Sequence, residues 1–194
     1  KGTMSRLTYG GKLTAQNFSY LLAKNQPAIT VAKATCSFSP EGLTVAPFVV
    51  QAGEKISADV SFDEKKKLVT VVAKKLAVAD LAAFAPRQYV GMVKRMAPGG
   101  RISTKAYIPL DNPDKPTILA KVAALSILLP LDGKGKRATL SAALQWRNNV
   151  LACKDGKLSL ADLALAISDG KIVQKNEKDF IFDLALAGNV PLAK

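Results

Sequence analysis

Apolar and polar residues alternate along much of this chain. From Lys55 to Phe62 the apolar side chains fall on every second position. An extended strand there puts Ile56, Ala58, Val60 and Phe62 on one face and Lys55, Ser57, Asp59 and Ser61 on the other. The run Asp63-Glu64-Lys65-Lys66-Lys67 reads as a solvated turn and the Val- and Thr-rich stretch Leu68 to Ala73 as a return strand, so the two make a hairpin. Asp80 suits a helix N-cap, Pro86 a first helical turn, and Lys94 and Arg95 a last turn before Pro98-Gly99-Gly100 ends it. One or two short helices are therefore expected within 80–97. Arg101 to Ile108 follows as a third strand, with Ile102, Thr104, Ala106 and Ile108 on its more apolar face.

The flanks carry the same pattern. Arg6 to Tyr9 reads as strand, Lys12 to Leu22 as extended or short helical material, and Ala28 to Ser39 as one or two strands. Leu43 to Val50 is a strand in which Pro47 marks an edge or a bulge. Pro109 to Pro116 is the best candidate for a loop or internal boundary. Ile118 to Leu129 reads as a strand, although Leu119, Val122, Leu125 and Leu129 also fit helical spacing. A Gly- and Lys-rich turn over 132–137 leads to Ala138–Trp146, with Leu140, Ala142, Leu144 and Trp146 on one face, and Asn148-Asn149 turns the chain.

Val150 to Cys153 reads as a short strand, and Leu158 to Ile167 as one strand with a bulge at Ala161-Asp162. Ser168-Asp169-Gly170 is a turn, Lys171-Ile172-Val173 a stub, and Phe180 to Ala187 the last strand, its apolar face formed by Phe180, Phe182, Leu184 and Leu186. Setting Phe38 on Trp146 gives a weak internal similarity, which two copies of one unit or any two meandering sheets would produce.

The fold class these elements imply is mainly β, a β-rich α+β arrangement: a long twisted antiparallel meander with one or two short helices at 80–97. It divides into a first unit over 1–110 and a second over 117–194, continuous as one elongated domain. Two architectures remain open. Two sheets can bury their apolar faces against each other, or one curved sheet can leave its apolar face partly uncovered as a groove for acyl chains.

Composition narrows the function. With 194 residues, nearly half of them apolar, the chain can bury a sizeable core. The formal charge of +13 invites a nucleic-acid reading. The basic residues, however, are spread along the chain, mostly in turns, without the interleaved aromatics that stack bases. Solvated turns, lysines that discourage edge-to-edge aggregation, and attraction to an anionic membrane surface account for them better. Cys36 and Cys153 are far apart and read as small apolar residues in separate strands, a disulfide being the competing reading.

There is no histidine, so the commonest general base and metal ligand are missing. The carboxylates Asp63, Glu64, Asp111, Asp114 and Asp169 sit in predicted turns, and neither Gly133-Lys134-Gly135-Lys136 nor Gly99-Gly100 meets a phosphate-binding motif. No catalytic, cofactor or metal residue is assigned, and a non-enzymatic protein is expected. The chain begins Lys1-Gly2-Thr3-Met4, within predicted strand material and without a signal peptide or bilayer-spanning run, which reads as an excised piece of a longer protein.

Three stretches carry a family resemblance: Lys55 to Phe62, the phrase Leu76-Ala77-Val78-Ala79-Asp80-Leu81-Ala82-Ala83-Phe84-Ala85-Pro86 with Gly100-Arg101-Ile102-Ser103, and Asp155 to Leu163 with Ser168 to Ile172 and Leu186 to Val190. Together they resemble bacterial AsmA-like envelope proteins over about two thirds of the chain. The resemblance implies a periplasmic, β-rich, groove-shaped body, tethered to the inner membrane by a segment absent from this chain. It also implies a role in phospholipid transport or outer-membrane homeostasis.

On that expectation the lipid-facing residues are Ile56, Ala58, Val60, Phe62, Leu140, Leu144, Trp146, Phe182, Leu184 and Leu186, each of which also suits a plain core. The partners would be lipid or an anionic membrane surface, and other envelope proteins. The alternative is a structural or protein-interaction β module of a larger envelope assembly, without bound lipid. A nucleic-acid partner would need the basic side chains to converge on one face.

Overall fold

The computed structural model describes residues 10–21, 26–85, 87–131, 134–160, 163–174 and 179–189. Its strands are β1 (Gly11–Tyr20), β2 (Ile29–Ser39), β3 (Gly42–Val45), β4 (Phe48–Ala52), β5 (Ile56–Asp63), β6 (Leu68–Ala77), β7 (Gly99–Pro109), β8 (Thr117–Leu131), β9 (Lys134–Arg147), β10 (Val150–Leu160), β11 (Leu163–Gln174) and β12 (Phe180–Asn189). All twelve belong to one open antiparallel sheet. The order is β1-β2-β4-β5-β6-β7-β8-β9-β10-β11-β12, with β3 beside β2, so nearly every strand pairs with its neighbours in sequence.

The mainly β, antiparallel fold with short helices expected from the pattern is the fold found. The predicted strand Arg6 to Tyr9 lies outside the described residues, as does Pro86. The sheet runs unbroken across the predicted boundary: β7, before it, pairs with β8, after it, from Gly99↔Ser126 to Tyr107↔Thr117.

Local chemistry sets the corners. Asn148 and Asn149 both take left-handed backbone angles, at φ 50° and 61°, as a two-residue hairpin turn between β9 and β10 requires. In the β5–β6 turn the backbone N–H of Lys66 donates to Asp63 Oδ1 at 3.1 Å and Lys67 N–H donates to the Glu64 carbonyl at 3.0 Å. The first of these bonds holds the exposed Asp63 carboxyl below its ordinary value. Pro47 breaks a would-be strand into β3 and β4, which pair with successive halves of β2.

Between β6 and β7 the chain forms α1 (Val78–Leu81), a 3-10 turn (Ala82–Phe84) and α2 (Arg87–Met96). Asp80 is not the N-cap. That position is Ala77, which offers no side-chain bond, and Asp80 lies inside the first turn, paired with Lys55 at 3.5 Å. The segment closes against one end of the sheet, where Gln26 Nε2 donates to the Phe84 carbonyl at 3.1 Å and Ala52, Ile56, Ala79 and Phe84 line a cleft of about 300 Å³.

Several predicted breaks are irregularities inside longer strands. Gly99 and Gly100 begin β7, and Lys134 to Arg137 belong to β9. Val150 to Cys153 is the start of an 11-residue strand, and Ser168-Asp169-Gly170 lies within β11 at a register shift. The single bulged strand Leu158 to Ile167 is instead the end of β10 and the start of β11, paired from Leu160↔Leu163 to Gly156↔Ile167. Alternation alone cannot distinguish a bulge from a tight reversal, because both keep the apolar residues on one face.

Candidate functional site

Paired residues in an antiparallel ladder share a face, so the registers fix which side chains lie together. Starting from Val60, the pairs Phe48↔Val60, Val60↔Val71, Val71↔Ala106, Ala106↔Ile118, Ile118↔Trp146, Trp146↔Leu151, Leu151↔Ile172 and Ile172↔Phe182 trace one apolar row from β4 to β12. A second row runs Val122↔Ala142 through β8 and β9, and a third links Leu125, Leu140, Leu158 and Leu165.

All the residues proposed from sequence as lipid-facing fall on this face. Ile56, Ala58, Val60 and Phe62 lie on β5, Leu140, Leu144 and Trp146 on β9, and Phe182, Leu184 and Leu186 on β12. Phe38, matched to Trp146 in the proposed repeat, falls on the opposite face by its alternation from Val31, so the two are not equivalent.

Only part of this face is covered. Among the described residues the buried hydrophobic ones are Val60, Ala73, Val122, Ala138, Ala142 and Ile167, all of them on the apolar face, and no large side chain is fully buried. Ile56, Ala58, Phe62, Leu140, Leu144 and Trp146 are half-buried, while Phe182 is 64% exposed and Leu184 and Leu186 are also exposed. Accessible surface totals 14404 Å², against about 8,900 Å² for a compact monomer of 20.6 kDa. Among the described residues no second sheet packs on the first; the sandwich alternative is not the architecture found.

Register shifts keep the apolar face continuous through irregular strands. They occur at Ala73/Leu76, Gly99/Arg101, Val122/Leu125, Lys154/Lys157 and Ile167/Asp169, with Lys75, Gly100, Ala124 and Asp155 in left-handed conformations. Serines opposite two of them satisfy the displaced amides. Ser103 Oγ accepts from Lys75 N–H and Ser141 Oγ from Ala124 N–H, each at 3.0 Å. The helix-like spacing of Val122 and Leu125 is such a bulge. It carries both side chains to the apolar face, whereas Leu119 points to the other.

The cysteines are free. Cys153 lies on the apolar face opposite Leu144 and Gly170, where burial, aided by Asp155 and Asp169, pushes its thiol above the ordinary value. Cys36, paired with Leu13, lies on the other face.

The opposite face holds what the sequence reading missed. Basic residues are not confined to turns. Lys74, Lys105, Lys121, Lys154 and Lys171 are strand residues that the registers place together on the polar side. The signal was present in the alternation of β7 and β8 but needed the pairing to become a patch. No group of histidines, cysteines and carboxylates capable of holding a metal occurs among the described residues, and no described helix is long and apolar enough to cross a membrane. No protein-family model, curated protein or solved structure matches this chain.

Proposed function

We propose that the protein binds lipid acyl chains on the apolar face of its sheet and takes part in lipid transport or outer-membrane homeostasis in the bacterial envelope. The observation that carries this reading is the continuous apolar face from β4 to β12, buried at its centre and exposed along β12, with no second sheet upon it among the described residues and the helical segment closing only one end. Exposed apolar surface on this scale marks an interaction surface. The resemblance to AsmA-like proteins supports lipid as the occupant and the periplasm, beside the inner membrane, as the location. No chemistry is required of the protein: hydrocarbon would replace water over Ile56, Phe62, Leu144, Trp146 and Phe182.

The test is gentle purification from a bacterial envelope followed by native mass spectrometry and lipid extraction. Phospholipid retained at stoichiometric level, and lost in Phe182→Asp, supports the reading. A lipid-free protein that also takes up no labelled phospholipid from vesicles overturns it in favour of a protein-binding module.

A further inference from the structure

We propose that the polar face carries a separate binding site for an anionic amphiphile, a molecule with a short hydrocarbon body and a carboxylate or phosphate head. The site is a trough of about 490 Å³ across β6 to β10, within the range of about 300–1,000 Å³ typical of small-molecule sites. Its composition is unusual for the wet side of a sheet. Val72, Leu119, Ala143 and Ala152 supply apolar surface, and Leu119 is 38% exposed although it stands between Lys105 and Gln145 in the ladder. Lys74, Lys105, Lys121 and Lys154 line the same trough, all of them exposed.

The register explains why this is a cavity. Ser103 pairs with Lys121, Lys121 with Ala143 and Ala143 with Lys154, so long side chains alternate with small ones across the strands. Lysines two strands apart stand about 10 Å from each other and wall a space whose floor is Ser103 and Ala143. Lys105 stands diagonally from Lys121, and its ammonium lies 5.0 Å from the centre of the Tyr107 ring.

Electrostatics give the sign of the ligand. None of the four lysines has a carboxylate within ion-pair distance among the described residues; the recorded pairs are Lys55–Asp80, Lys66–Asp63 and Lys67–Asp111. Two carboxylates on this face flank the trough, Asp59 opposite Val72 on β5 and Asp169 opposite Lys154 on β11. Four ammonium groups that form no ion pair, Lys105 resting on the Tyr107 ring, repel one another around an apolar floor, and a ligand that brings both negative charge and hydrocarbon relieves the repulsion while covering Leu119. A bare anion would use only half of the site. Because this face is opposite Trp146, the proposal stands independently of what occupies the apolar face.

The test is calorimetric titration of the whole chain with dodecanoate, dodecyl phosphate, the uncharged dodecyl maltoside and inorganic phosphate, at low and high salt. Dodecanoate and dodecyl phosphate are expected to bind, more weakly as salt rises, and the two uncombined halves of the chemistry to bind far less. The double variant Lys105→Gln with Lys121→Gln lowers amphiphile affinity by about tenfold, as the loss of two partly exposed ion pairs predicts, and the Glu pair, which adds repulsion, lowers it further. Leu119→Ala weakens the amphiphile but not inorganic phosphate. Circular dichroism of each variant checks that the sheet is kept.

Dodecanoate brominated along its chain should leave Trp146 fluorescence unquenched. Equal binding of inorganic phosphate and amphiphile, indifference to the lysine changes, quenching of Trp146, or no binding at all would each overturn the proposal. Phospholipid retention on the apolar face is measured separately with Phe182→Asp, so either reading can fail alone.

Discussion

Gly100 shows how much a single residue can carry. Its φ of +95° is one that side chains rarely adopt, and a Cβ there would fall on the Ala124 carbonyl of the neighbouring strand. Gly100→Ala should therefore destabilise by about 1–3 kcal/mol in urea unfolding. Gly91→Ala, in α2 with open space around it, should stabilise by about 0.5–1 kcal/mol in the same measurement. The two changes are chemically identical and differ in sign because backbone conformation and the facing atoms differ. Cys153 gives a pH signature. Its folded thiol is pushed above the ordinary 9.0 by burial first and by Asp155 and Asp169 after it, so the unfolded chain releases its proton earlier as pH rises. Stability is unaffected well below that value and falls as pH rises through it. The urea midpoint should drop more between about pH 8 and about pH 10 in the parent protein than in Cys153→Ala. Alkylation of Cys153 should also be slower than that of a free peptide thiol.

At the scale of the element, the bulges are built features with identifiable supports. Ala124 holds a left-handed conformation at φ 51°, which costs an L-residue about 1–2 kcal/mol, and its amide is satisfied by Ser141 Oγ. Ala124→Gly should recover about 1 kcal/mol, while Ser141→Ala should lose about 1 kcal/mol and speed hydrogen exchange at the Ala124 amide. Ser103→Ala should do the same at Lys75. Without the shift at Val122/Leu125, one half of β8 would turn its leucines to the lysine side. The bulges therefore preserve the division between a hydrocarbon-like face and a charged one along strands as long as 15 residues. They also explain why the same stretches looked helical, or looked like turns, when only spacing was available.

The whole molecule is organised by its single layer. A sheet of sequence neighbours has little burial beyond each ladder, and the large accessible surface means that unfolding exposes less than it does in a compact protein of equal length. The urea m-value should accordingly fall below that of a compact protein of this size, since m scales with the surface exposed. Polar substitutions on the apolar face should sort by coverage. Val122→Asp, at the buried centre, should cost several kcal/mol, and Phe182→Asp, at the open edge, less than about 1 kcal/mol while removing lipid retention. Equal stability losses at both positions would mean that β12 is covered as tightly as the centre.

The sequence by itself determined the strand-rich class and which residues share a face within each uninterrupted strand. Alternation is a local property, and Ile56 to Phe62, Leu140 to Trp146 and Phe182 to Leu186 carry it without interruption, so the residues of the apolar face were legible before any pairing was known. It also determined the Asn148-Asn149 turn, where backbone chemistry leaves few options, and marked Pro47 as an irregularity, although the split of Leu43 to Val50 into two strands came only with the structure. Tertiary structure decided what spacing cannot express: whether an interruption is a bulge or a reversal, whether two sheets face each other or one stands alone, and which charges meet. Lys74, Lys105, Lys121 and Lys154 are scattered over four strands and become one patch only through register, because a ladder brings together residues that the chain keeps far apart.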